Sequence, residues 1–272
     1  MTDNMHRDSD SGGRYGEVAA NYRNVRPTYP PELPAYLARL TSGHELAVDC
    51  GTGSGQAAVL MAAHYDQVIG VDISPEQLAN AVQHPKVAYH RAKAEMLGQI
   101  VHPRSVDIAT FAASIHWTAK SSEQWLDFGD LFTEMQRILK PGGVVAAWTY
   151  TDPVIDGHPA MNHLIADFTE VTGHDGDQRN QHSKHGYTRI PIERPGFTRI
   201  ETPLLPIEET RNLWEVAAYL ATRSSYRAHR KRTGVDYLAS FKEKAIPIWS
   251  DAGPSTPLSV TWPMPLLAAR VQ

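Results

Sequence analysis

Apolar positions along the 272-residue chain fall into two alternating periods. Leu33, Tyr36, Leu37 and Leu40 recur three and four apart, which predicts an amphipathic helix over residues 30–40 with its prolines in the first turn. Leu46, Ala47 and Val48 form a short continuous run, as in a strand buried on both faces, and AAVLMAA after three glycines reads as a helix. QVIGVDI predicts a second strand, and SPEQLANAV a helix with Ser74 as N-cap, Pro75 at the first helical position and Gln77 completing a capping box. VAYHR gives a short third strand and VDIATFAAS a fourth, entered at Asp107. Trp125, Phe128, Leu131, Phe132, Met135, Ile138 and Leu139 then make a helical stripe of core residues. Leu139-Lys140-Pro141-Gly142-Gly143 stops that helix and turns into a fifth strand, VVAAWTY. Strands alternating with helices predict an α/β fold with a mostly parallel sheet covered on both faces.

The regular pattern lapses from 151 to about 196, apart from a helical run at MNHLIADFTEV, and an insertion after the fifth strand reads as part of a substrate lid. FTRIETPLLPI predicts a sixth strand and residues 211–232 one helix. LSVTWPMPLLAARV reads as a closing strand whose prolines point to an edge or an irregularity. Residues 1–14 are polar and Gly/Ser-rich, the composition of a disordered tail. Residues 15–272 are expected to form one domain, with a core at about 40–150 and lid elements at about 15–30, 151–196 and 211–250.

Composition narrows the partner. Lys and Arg total 26 against 30 acids, a net charge of −4 that gives no reason to expect nucleic acid and favours a small molecule. The apolar runs are too short to span a bilayer and MTDNMHRDSDSGGR has no apolar signal core, so a cytoplasmic monomer or homodimer without a membrane partner is expected. One cysteine, Cys50, excludes an internal disulfide and a multi-cysteine metal site, and reads as a small buried filler. Five of thirteen histidines fall between His158 and His185, but the stretch reads as loop without a rigid frame, so no metal is expected.

The chemistry centres on residues 46–56, LAVDCGTGSGQ. Three glycines in five residues mark a sharp turn to which something comes very close. A dinucleotide fingerprint counted from Gly51 through Gly53 needs a third glycine at 56, where Gln56 stands, which weakens a nicotinamide oxidoreductase reading. Asp72, at the tip of the second strand, has the place of an acid that takes both ribose hydroxyls. The D-x-G-x-G-x-G pattern resembles motif I of the class I S-adenosylmethionine (SAM)-dependent methyltransferases, and LKPGG resembles the same family further on. The resemblance implies a Rossmann-like seven-stranded sheet and SAM as cofactor. It places Asp49 near the methionine amino group, and Gly51, Thr52, Gly53, Gly55 and Gln56 around the amino-acid part. Asp72 and Ile73 would serve the ribose end, Ala94 and Glu95 the adenine turn, and Ala113 the fourth-strand tip. Tyr22, Arg26 and Pro27 form a Tyr-x-x-x-Arg-Pro segment similar to the opening of a branch that includes trans-aconitate methyltransferases.

Methyl transfer from a sulfonium is an in-line displacement, so the protein must mainly position the acceptor and exclude water. The expected acceptor is an oxygen of a small carboxylic acid or of a phenol or natural product. A carboxylate needs only an orienting cation, for which Arg26, Arg179 and the cluster Arg223, Arg227, Arg230, Lys231 and Arg232 are candidates. A phenol needs a base, and His116 is the candidate, with Tyr15 and Trp117 as further acceptor contacts. A cluster of cations also suits a solvated helix C-terminus, and His116 also suits plain packing. A SAM-binding protein that transfers no methyl group is the other alternative.

Overall fold

The structure, a computed structural model, describes residues 25–121, 126–177 and 179–272. Tyr15, Tyr22, Trp125 and the tail expected at residues 1–14 lie outside them. In chain order come α1 (Glu32–Arg39), β1 (Leu46–Cys50), α2 (Gln56–Met61), β2 (Gln67–Asp72), α3 (Pro75–Ala79), β3 (Val87–Arg91) and β4 (Val106–Ala112). A hairpin of β5 (Lys120–Ser121) and β6 (Leu126–Asp127) leads to α4 (Gly129–Ile138) and β7 (Leu139–Trp148). Then follow β8 (Val154–Ile155), α5 (Pro159–Gly173), α6 (Asn180–Lys184), β9 (Phe197–Ile200) and β10 (Ile207–Arg211). The chain ends with α7 (Leu213–Ala221), α8 (Ser224–Thr233), α9 (Tyr237–Trp249), β11 (Leu258–Trp262) and β12 (Leu266–Val271).

Among the described residues seven strands join in one sheet, in the order β3-β2-β1-β4-β7-β12-β9. Every neighbouring pair from β3 to β7 is parallel, and β12 alone runs against its neighbours. Side chains alternate across a strand, so each central strand feeds two cores. Ile108, Val144, Ala146 and Trp148 pack on one face with Leu33, Leu37, Ala58 and Met61. Ala109, Phe111, Val145 and Ala147 pack on the other with Leu131, Phe132, Met135 and Ile138 of α4. Helices therefore cover both faces, as expected of a Rossmann-like sheet. The order doubles back at β1, so β1 and β4 end side by side, and their carboxyl ends define the crevice.

The remaining chain departs from the predicted pattern in informative ways. The closing strand is two strands, because the Pro263-Met264-Pro265 break lets β11 leave for a second, antiparallel sheet ordered β10-β11-β8. The predicted sixth strand divides likewise between β9 and β10. Helix 211–232 is broken at Arg223, whose extended backbone makes it the N-cap of α8, and α9 was not foreseen. A full capping box stands at Asn212 and Glu215 on α7. At α3 only half of the predicted box forms: Ser74 Oγ accepts from the Gln77 amide, while the Ser74 amide donates to Asp72. LKPGG lies inside β7, as a register shift between Val106 and Ile108 of β4, and Lys140 bonds Glu45 and Asp107.

Candidate active site

The glycine turn joins β1 to α2 with Gly51, Gly53 and Gly55 all in the left-handed region, at φ 68°, 55° and 81°. What comes close to two of them is the protein itself. A Cβ at Gly55 would collide with the Tyr89 hydroxyl, which donates to the Val82 carbonyl, and one at Gly51 would lie 2.6 Å from Ser114 Cβ. At Gly53 an added Cβ would meet nothing nearer than Gln77 Oε1 at 3.9 Å. The close approach to Gly51 and Gly55 is therefore made, on the side a Cβ would occupy, by Ser114 and Tyr89, while Gly51 keeps an exposed backbone.

Two carboxylates brace the turn. Asp49 is fully buried and accepts from Thr52 Oγ1 at 2.6 Å and Thr110 Oγ1 at 2.9 Å. Burial raises its pKa to about 6, against the hydrogen bonds from the two threonines, with a small push from Asp72. Asp49 thus lies behind the turn, with no exposed atom. Asp72 is only half-buried; its two oxygens accept from the Gly53 and Ser74 amides, each at 2.9 Å, and burial raises its pKa. A carboxylate has roughly four acceptor positions, so Asp72 retains capacity for hydroxyl donors. Ile73 beside it is 45% exposed. Thr52 is buried, Gln56 is exposed as the first residue of α2, Ala94 is buried and Glu95 half-buried after β3. Cys50 is buried, and burial pushes its thiol pKa well up, as a filler rather than a nucleophile.

The β4 tip carries backbone strain. Ala113 has φ 52°, a conformation rare for a side chain with a Cβ, held by its amide donating to the Trp148 carbonyl while Ser114 Oγ donates to the Cys50 carbonyl. The short 3-10 turn Ile115–Thr118 follows. His116 within it is only 3% exposed; its Nδ1 lies 3.0 Å from Tyr187 Oη, and its ring is 4.7 Å from that of Trp117. Burial, with His182 and Arg179 nearby, lowers the His116 pKa to about 3. A ring so placed is neutral and a poor proton acceptor at neutral pH.

The segment expected as a mobile loop is packed on this tip. Tyr187 is fully buried, and α6 is tied to the end of β7 by Ser183 Oγ, 2.6 Å from Thr149 Oγ1. Arg179 donates to the Trp117 carbonyl at 3.2 Å, covers the Trp117 ring at 5.1 Å and pairs with Asp177. Among the described residues no group of three or more His, Cys, Asp or Glu is placed to hold a metal ion.

Arg26 and Arg223, distant in sequence, meet at one ring. Their guanidinium carbons lie 5.4 and 5.3 Å from the Tyr219 centroid, and Arg26 Nη1 donates to Tyr150 Oη at 3.0 Å. Arg223 also pairs with Asp152 and donates to Thr169 Oγ1 at 2.7 Å. Tyr29 stacks edge-on against Trp148, at the end of β7. The rest of the cationic cluster turns elsewhere: Arg232 binds Asp175, while Arg227, Arg230 and Lys231 line a surface concavity of about 580 Å³ between α8 and α9. None of that concavity's lining residues belongs to the glycine turn or the β4 tip.

A Rossmann-like sheet with an acid-terminated β2, a glycine turn opening at one residue and a strained β4 tip defines a nucleoside-binding α/β protein of the methyltransferase type. Residues 48–147 match the methyltransferase domain family. The chain is 34% identical to a candidate type II methyltransferase of Anaeromyxobacter dehalogenans of known structure, with a TM-score of 0.76 over 90% of this chain and 97% of that one. It is 24% identical to a candidate methyltransferase of Dictyostelium discoideum, over 94% of both. A candidate SAM-dependent methyltransferase of Saccharomyces cerevisiae is 31% identical across 53% of this chain and half of its own length. The chain belongs to the class I SAM-dependent methyltransferases. SAM is its methyl donor, and the open side of Gly53, with Asp72 beside it, fits that group. No helix among the described residues is long and apolar enough to cross a membrane.

Proposed function

We propose that this methyltransferase acts on a small molecule and transfers the methyl group to an acceptor oxygen that is already ionised, a carboxylate in the first instance. The observation that carries this reading is His116: the histidine nearest the β4 tip is buried, bonded to Tyr187 and held to a pKa of about 3. An un-ionised phenol or alcohol needs a base there, whereas a carboxylate needs only to be oriented by cations. Arg26 and Arg223 around Tyr219 supply these.

In this reading SAM supplies an electrophilic methyl carbon on its sulfonium. Gly53 lies under the amino-acid part, and Asp72, with Ile73, Ala94 and Glu95, holds the nucleoside side. Thr52, Asp49 and Thr110 keep the turn rigid through their hydrogen bonds. Ala113, His116 and Trp117 shape the floor of the acceptor side, with Tyr187 and Arg179 holding the cap over it and excluding water. Residues 151–196 and 211–250 act as lid elements. The Tyr-x-x-x-Arg-Pro segment supports an acid-methylating branch similar to the trans-aconitate methyltransferases.

Incubation with methyl-labelled SAM and separate pools of small carboxylic acids and phenols tests the reading. An alkali-labile labelled product from the acids is the expected result, with His116→Gln keeping turnover within about tenfold of wild type. An alkali-stable product from phenols, with a loss of about 100-fold or more in that variant, would restore the base role and overturn the carboxylate reading.

A further inference from the structure

We propose that Lys184 and Arg223 together form an anion subsite that takes a carboxylate of the methyl acceptor. This rests on the acid-acceptor reading and assigns Lys184 and Gly173 a part in it.

One face of α5 sets the two cations side by side. Arg223 Nη1 donates to Thr169 Oγ1, and the Lys184 ammonium fills the space left by the missing side chain of Gly173, four residues further on. Residues four apart on a helix are surface neighbours. Asp152 is bonded to Arg223 and lies within electrostatic reach of Lys184, so two cations share one carboxylate. Among the described residues nothing hydrogen-bonds the Lys184 ammonium, and burial and the Arg223 charge hold its pKa below the usual lysine value.

Among the described residues, Thr169, Asp152 and Tyr219 take three of the five N–H donors of Arg223. Arg223 and Lys184 against the one Asp152 carboxylate leave one positive charge unmatched between them, which a monoanionic carboxylate matches better than a phosphate dianion. The pair borders the crevice: Ser183, beside Lys184, bonds Thr149 at the end of β7, and Asp152 follows three residues later. A surface cluster with no tie to the crevice would lack this continuity.

The test titrates the whole protein, saturated with S-adenosylhomocysteine, with benzoate, with its uncharged isostere benzamide and with inorganic phosphate, read by calorimetry. Benzoate is expected to bind and benzamide not, with Lys184→Met weakening benzoate about tenfold and Lys184→Arg keeping it within about threefold. Gly173→Ala should weaken benzoate similarly, since the new methyl displaces the ammonium, without lowering the thermal midpoint, because alanine is the better helix former. The S-adenosylhomocysteine affinity should be the same in every variant. Absent benzoate binding, equal affinity in Lys184→Met, or tighter binding of phosphate than of benzoate would overturn the subsite. Binding needs no methyl transfer, so the two readings fail separately. Lysine-dependent benzoate binding without methylation of any acid removes the carboxylate acceptor and keeps the subsite. Acid methylation with an unchanged KM in Lys184→Met removes the subsite and keeps the acceptor.

Discussion

The two sides of the crevice are built in opposite ways. The proposed donor side, from Asp49 to Ile73, is one contiguous β-turn-α-β passage that relies on backbone conformation: three left-handed glycines, the Gly53 amide and a half-buried aspartate. The proposed acceptor side gathers Arg26, His116, Tyr150, Lys184, Tyr187, Tyr219 and Arg223 from segments up to about 200 residues apart, and holds them through side chains. A site for a shared cofactor can be fixed in a local motif, because local geometry alone sets the approach of the ligand. A site for a particular acceptor needs side chains that no local run can bring together.

The comparison can be broken at the cap first. The His116 pKa falls from 6.5 to about 3 on folding, so the unfolded chain takes up the proton in that window. Its contribution to stability is full above pH 6.5 and is lost as pH falls toward 3, by up to about 5 kcal/mol. Urea unfolding across this range should show the acid slope in wild type and a flatter one in His116→Gln; equal slopes would show that the cap does not bury a neutral histidine.

The donor side should respond with the opposite sign. Asp49 is raised from 3.8 to about 6, so the folded state holds the proton more tightly and this group's contribution falls as pH rises from 3.8 to about 6, by up to about 3 kcal/mol, then stays constant. Asp49→Asn should remove that slope; if it persists in the variant, another group carries it.

The glycines sharpen the contrast within the turn. Gly55→Ala combines a left-handed alanine with a collision against Tyr89 and should lower unfolding free energy by about 2 to 3 kcal/mol. Gly53→Ala has room on the protein side and should cost only about 1 kcal/mol, yet weaken SAM binding about tenfold. Calorimetric SAM titration beside urea unfolding separates the two, and equal effects at both positions would remove the distinction.

Some of this was legible in the chain as written. Alternation of apolar runs and helical stripes gave the parallel strands and their covering helices, because those periods report burial directly. The glycine spacing and Asp72 pointed to the donor side proposed above. What stayed hidden has a common cause. The prolines at 263 and 265 marked an irregularity, but only the second sheet shows that β11 departs there. The break at Arg223 follows from its bonds to Thr169 and Asp152, which no helical periodicity encodes. The polar composition of residues 174–189 suggested a mobile loop, whereas Tyr187 buries itself on His116.

By itself, then, the sequence determined the fold class and the cofactor and pointed to the strand tips proposed to hold it, since each depends on near neighbours in the chain. Tertiary structure alone decided that Ser114 and Tyr89 pack against Gly51 and Gly55, that His116 is a buried neutral ring, and that Lys184 and Arg223 contact α5 at Gly173 and Thr169, one helical turn apart. Each of those depends on desolvation or on contact between residues remote in sequence, and burial, which sets the protonation of a side chain, exists only once the chain has folded.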